Sequence, residues 1–247
     1  MSALAPDLPA SLLRCDTHTA PAGGNHLPQG HSETDAQADR APRNGQHDAL
    51  LLVLADHLDD LEAQRIATAN RLRALVTDKG MAGTAPAVRL AALLDHLAAL
   101  EHQAALDLRR AMRTHPLAGW VAVTVGVGER QAARLLAAIG WPTAGRPNPA
   151  KLWQYCGHGD PARSRRQRGA RIAYSPTAKV RTRLIAESCM KQRSSPYRAV
   201  YDAERERWAD RETTDAHKHS HALRVVGKRV LLDLWREAHR IDLEATA

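Results

Sequence analysis

The 247 residues are 44% hydrophobic, enough for one or two folded domains with real cores. A net charge of +8 and a pI near 9.9 favour nucleic acid or another anionic surface as partner. Cys15, Cys156 and Cys189 are too few and too far apart for a disulfide framework or a CxxC zinc site, which fits a reducing cytoplasm. No run of about 18 apolar residues and no basic-then-apolar leader occurs, so membrane-spanning and secreted classes are set aside, and no cofactor or metal is implied.

Residues 1–48 are rich in Pro, Gly, Ala, Asp, His and Asn, with apolar periodicity only from Leu8 to Leu13, and are expected to be disordered. From 49 to 78 the pattern changes: Leu51, Leu54, Leu58 and Leu61, then Ala69, Leu72 and Leu75, trace one face of a long helix. Lys79 to Pro86 breaks it. A second helix follows through Leu90, Leu94, Leu97, Leu100, Ala104, Leu108 and Met112. Residues 49–114 therefore read as an antiparallel helical hairpin or coiled-coil arm. Arg65 and Thr68 interrupt its seam, so the arm either packs on another helix or pairs with a second protomer, and a homo-oligomer is expected through this segment.

His115-Pro116 ends the second helix, because proline cannot continue the hydrogen-bond ladder. Leu117 to Val125 lead into Val125-Gly126-Val127-Gly128 and a helix from Glu129 to Ile139, which Gly140-Trp141-Pro142 stops. An apolar-Gly-apolar-Gly turn between short helices, with small Ala132 and Ala133 at the crossing, is the pattern of a helix-hairpin-helix. Its glycines let peptide N–H groups approach an anion, and the second helix presents unpaired N–H groups at its start. Gly126, Val127, Gly128, Glu129 and Arg130 are the candidate phosphate-facing residues. The other reading is a tight turn between two core helices that binds nothing.

Ala150 to Cys156 reads as a short helix that Gly157-His158-Gly159-Asp160-Pro161 terminates. A strongly basic window follows: residues 151–200 hold twelve Lys/Arg against Asp160 and Glu187, a net charge of +10. Arg163, Arg165, Arg166 and Arg168 are candidate backbone contacts, with Arg171, Lys179 and Arg181 beside them. Ile172 to Ser175 is expected to be extended before a helix from Ala178 to Met190. Two more helices are expected, from Pro196 to about Arg211 and from Ala216 to about Ile241, with Trp208 and Trp235 in the core. His217 and His221 share a helical face and His219 does not. No carboxylate or thiol set completes a metal site there, and contact with phosphate or with a packing partner fits better, given Arg224, Lys228 and Arg229 on the following turns.

His115-Pro116, Gly126-Val127-Gly128, Ala133, Ile139-Gly140, Leu152-Trp153-Gln154-Tyr155-Cys156-Gly157 and the basic loop into Ile172 together resemble the C-terminal domain of one bacterial family. It is the family of insertion-sequence transposases guided by a bridge RNA. The resemblance covers roughly residues 90–190 in detail and the arm from 49 in general character. It implies DNA binding and DNA transposition or recombination, with DNA and structured RNA as partners. In that family a RuvC-like domain with acidic metal ligands precedes the coiled-coil segment. Residues 1–48 are too short to form one, so autonomous catalysis is not expected. The family's serine in the basic loop is commonly followed by glycine. Ser164 is the nearest positional match, and Arg165 stands where the glycine is expected.

The expected architecture is all-α: a disordered head at 1–48, the arm at 49–114, a helix-hairpin-helix DNA-binding domain at 115–195 and a helical C-terminal cap at 196–247. Three functions remain open. The chain is a non-catalytic nucleic-acid-binding module, a component of an active recombinase using Ser164, or a helical scaffold whose arm binds protein.

Overall fold

Proline, glycine and short polar caps cut this chain into helices, and helices alone make up the ordered elements among the described residues. The structure is a computed structural model and describes residues 44–160, 168–169 and 172–247, among which there are eight helices and no strand. In chain order these are α1 (Asn44–Arg73), α2 (Ala85–Arg113), α3 (Ala118–Val123), α4 (Glu129–Ile139), α5 (Pro149–Tyr155), α6 (Pro176–Lys191), α7 (Pro196–Arg207) and α8 (Asp215–Thr246). Asn148, Ser175, Ser195 and Thr214 cap α5, α6, α7 and α8 by accepting backbone N–H bonds, and proline opens the first three of these helices. No helix among the described residues is long and apolar enough to cross a membrane.

The all-α reading holds, with local differences. The segment expected to be disordered ends earlier than residue 48, because α1 already begins at Asn44. Buried His115 supplies the reason. Its Nδ1 accepts the Leu117 N–H at 3.1 Å, so its Nε2 carries the proton and donates to Asp48 at 3.1 Å, while His47 meets the same ring edge-on. Residues 1–43 lie outside the described residues. The arm is α1 and α2 packed against each other, joined through a π-helical turn at Ala74–Asp78 and the Gly80 and Gly83 turns. Ile172 to Ser175 form no strand; the Ser175 N–H donates to the Tyr155 carbonyl at 2.8 Å, which sends the chain directly into α6.

One buried apolar cluster joins the arm, the hairpin and the C-terminal helices, running from Leu51, Leu58 and Leu108 through Leu135, Leu136 and Ile185 to Leu231 and Leu234. α4 is the element on which the others converge, and Ala132 and Ala133 are buried on it as small residues at a helix crossing should be. Gly140 closes α4 at φ +64°, and Arg146 caps its end by donating to the Ile139 and Trp141 carbonyls. Trp141 and Thr143 then tie the following loop to Asp242 of α8.

The polar centre of this packing is Arg134 of α4, only 3% exposed. Its guanidinium donates to both carboxylate oxygens of Glu62, at 3.0 and 2.5 Å, and to Asp59, both on α1. Arg130 donates to Glu62 at 2.5 Å, and Arg181 of α6 donates to Asp59. A buried arginine without its carboxylates carries a large desolvation cost, so the cluster fixes the register of three helices. Replacing Arg134 by Ala should leave Glu62 and Asp59 to Arg130 and Arg181 alone, with a void where the guanidinium packs, and lower unfolding stability by about 3 kcal/mol in urea titration. A loss below about 0.5 kcal/mol would show the cluster to be a surface network of little weight.

Candidate nucleic-acid interface

Two regions of the fold answer to the sequence expectations, and they sit at opposite ends of α6. The first is the hairpin. Gly126 adopts φ +96°, and a β-carbon there would lie 2.7 Å from the Cys189 Cα in the C-terminal half of α6. Glycine is required at this position twice over, by conformation and by the neighbouring backbone. Gly128 is different: it caps α4 in an extended conformation, φ −79°, with open space where a β-carbon would go. The conformational need read for both glycines applies to Gly126 alone. Val127 is buried under the turn. Glu129, at the start of α4, accepts from Arg113 at 2.7 Å and from Arg109 at 3.1 Å, and these hydrogen bonds hold its carboxyl below the usual range against the opposing effect of burial. A carboxylate paired with two arm arginines therefore already stands at the positive end of this helix.

Arg130 and Arg181, both expected to face phosphate, point instead into the Asp59–Glu62 cluster. Their charges hold the arm to the hairpin helix. Arg168 is exposed. Arg163, Ser164, Arg165, Arg166 and Arg171 lie outside the described residues. Of the predicted phosphate-facing cations among the described residues, Lys179 lines a concave site.

That site is a cleft of about 520 Å³ at the other end of α6, between α6, α8, the turn after α5 and Trp208. Counting along α6, Lys179 lies ten residues before Cys189, about 15 Å along the axis at 1.5 Å per residue. Lys179 and Arg183 project from successive turns of α6, and His217, His221 and Arg224 from successive turns of α8, all lining the cleft. The two helices cross closely because buried Gly227 leaves room: a β-carbon there would meet the Thr182 Cγ2 at 3.0 Å. Gly157, at φ +70°, does the same for the rim, since a β-carbon would come within 2.9 Å of both Lys179 Cδ and Tyr174 Cδ2. The Lys179 ammonium rests 4.5 Å from the Tyr174 ring centroid, and the Lys228 ammonium 4.2 Å from that of Trp153. Trp153 also donates its indole N–H to the Lys228 carbonyl at 2.9 Å, which pins α5 to α8.

Charge in the cleft is one-sided. Among the described residues, Lys179 and Arg224 of its lining have no carboxylate partner, nor has Lys228 one turn beyond Arg224, whereas Arg183 shares Glu187 one turn along α6 at 2.9 Å. His158, 95% buried, lines the inner end, and neither of its ring nitrogens has a hydrogen-bond partner. Burial, reinforced by Lys179, Arg224 and Lys228, pushes its pKa down to about 4, so the ring is neutral near pH 7. Burial and Arg224 also lower Lys228. Trp208, read from sequence as core, instead forms a wall: its ring stacks on His221 at 3.7 Å between centroids and on His217 at 6.0 Å. His221 in turn meets buried Glu204 at 2.7 Å, and His219, on another face of α8, meets the Tyr201 hydroxyl at 2.7 Å. Sequence reasoning placed His217 and His221 on one face with Arg224 and Lys228 beyond them. It missed His158, and it missed that the Lys179–Arg183 spacing on α6 repeats the same periodic signal on a facing helix. Among the described residues, no group of three His, Cys, Asp or Glu could hold a metal ion.

No protein-family model, no curated protein and no solved structure matches the chain.

The neutral His158 has a thermodynamic consequence. Its folded pKa lies below its unfolded value near 6.5, so between those values the unfolded chain binds a proton that the folded chain refuses. Stability attributable to this residue is therefore complete above pH 6.5 and lost as the pH falls toward 4, by about 3 kcal/mol in all. Thermal melts from pH 7.5 to 4.5 should show a steeper acid decline for the parent chain than for His158→Gln. Parallel declines would contradict the assignment.

Proposed function

We propose that the chain is a nucleic-acid-binding protein that acts in DNA transposition or recombination, as a relative of the bridge-RNA-guided transposases whose C-terminal domain its motifs resemble. The observation that carries this reading is the set of Lys179, Arg183 and Arg224, which line one cleft, with no carboxylate partner for Lys179 and Arg224 among the described residues. Between Asp160 and Ile172 the sequence carries Arg163, Arg165, Arg166, Arg168 and Arg171, which adds to the basic character of the segment that joins α5 to α6. Such a surface attracts a phosphate backbone through released counterions, independent of base sequence. Gly126 and the start of α4 add a backbone-rich turn at the far end of α6. DNA is the favoured ligand and structured RNA a second one.

The arm supports self-association. Leu93 and Leu100, seven residues apart on α2, are 47% and 56% exposed, and Leu52 and Ile66 on α1 are 46% and 50% exposed. A row of uncovered leucines at heptad spacing fits a second helical layer.

Fluorescence anisotropy with duplex DNA, branched DNA and a structured RNA at two salt concentrations tests this reading. Affinity should fall as salt rises, with a log–log slope of about −3 or steeper, corresponding to three or more neutralised phosphates. Light scattering on the same samples should report a mass above that of one chain. Weak binding with no salt dependence, by a particle of monomer mass, would overturn both parts.

A further inference from the structure

The cleft differs from an open basic groove in its shape and its charge. Buried Gly157, His158 and Leu223 form its floor, so an occupant is reached from the open side. Lys179 and Arg224 bring two positive charges to its lining with no carboxylate among the described residues, and Arg183 brings a third that Glu187 only partly offsets at 49% and 29% side-chain exposure. Lys228 stands one turn beyond Arg224. Gathering like charges around an uncharged, unpartnered imidazole is unfavourable in a partly desolvated site unless an anion completes it. An internal phosphodiester has one negative charge and needs an exit for the chain on both sides. A phosphomonoester has close to two negative charges near neutral pH, three free oxygens and a single ester arm. An excess of at least two cations over a closed floor fits the second of these.

We propose that this cleft seats a terminal phosphate of a nucleic-acid strand, with the phosphomonoester oxygens held by Lys179, Arg183 and Arg224 and the strand leaving through the open mouth past Trp208. The assignment rests on the nucleic-acid-binding reading above and narrows it from backbone contact to recognition of an end. Trp208 does not serve as a free stacking platform, because His221 lies on its ring at 3.7 Å and the Arg211 guanidinium at 4.6 Å from its centroid. The ligand is therefore recognised by its phosphate and not by its terminal base. Ser220 lines the same cleft on α8 and adds a neutral hydroxyl donor.

The test uses the full chain and one oligonucleotide prepared with a 5′-phosphate, with a 3′-phosphate or with hydroxyls at both ends, with inorganic phosphate as competitor. A terminal phosphate at one of the two ends should strengthen binding by about tenfold or more, as expected for loss or gain of charge-assisted bonds. That advantage should disappear in Lys179→Gln/Arg224→Gln, so that the doubly substituted chain binds phosphorylated and unphosphorylated strands with equal, reduced affinity. Neither side chain has a hydrogen bond or ion pair among the described residues, so the doubly substituted chain should keep its helical circular dichroism and melting temperature. Millimolar inorganic phosphate should erase the advantage of the phosphorylated strand in the parent chain. Equal affinity for all three strands, with binding intact, would overturn the end-recognition assignment and leave the broader function standing. Competition by inorganic phosphate without any preference among strands would make the cleft a small-anion site and would also overturn it. Failure of every strand to bind would overturn the nucleic-acid reading itself.

Discussion

The guanidinium of Arg134, buried between Glu62 and Asp59, is the contact on which the architecture depends. An arginine at 3% exposure in an apolar cluster is tolerable only if its charge is paired, and the only described carboxylates that reach it come from α1. The arm must therefore lie across the hairpin helix at one register. Arg130 and Arg181 join the same pair of acids, so α6 is drawn into the arrangement as well. With α4, α1 and α6 fixed, Gly126 can be pressed against the backbone of Cys189, and the hairpin becomes part of the core.

This sorting of charge separates structural from available cations along a single helix. α6 turns Arg181 toward the arm, where acids await it, and turns Lys179 and Arg183 toward α8, where Arg224 and Lys228 add further positive charge. Lys179, Arg183 and Arg224 thus gather positive charge at the α6–α8 crossing. Gly227 and Thr182 set how near those two helices come, and Gly157 lets Tyr174 and Lys179 close the rim. The neutral His158 at the inner end gives a polar floor that adds no further positive charge near pH 7.

Much of this was legible in the sequence, because the physics involved is local. Proline and glycine mark the ends of α2, α4, α5 and α6, and apolar spacing gives the arm and α8. The shared face of His217 and His221 follows from helical geometry alone. The destinations of charged side chains were not legible. Arg130 beside the hairpin turn and Arg181 in the basic window look like any exposed cations until a helix more than 60 residues away presents Asp59 and Glu62 to them. Likewise Trp208 reads as core because it is apolar, yet its position at the end of α7 puts it beside the first turns of α8, where it walls the cleft. A stripe of basic residues on each of two helices becomes a site only through their crossing, and that crossing is set by Gly227, which carries no signal of its own in a helical run. Gly128 is the opposite case: its place in an apolar-Gly-apolar-Gly turn suggested a special backbone, and the turn needed only Gly126.

The central claim is that the cations of the α6–α8 cleft, and not those of the arm, meet nucleic acid. Lysine footprinting tests it most directly: brief acetylation of the chain with and without bound phosphorylated DNA, read residue by residue by mass spectrometry. Lys179 should become protected in the complex, and Lys79, at the turn that ends the arm, should react at an unchanged rate. Unchanged reactivity at Lys179 in a sample that demonstrably binds DNA, with protection at Lys79, would contradict the account.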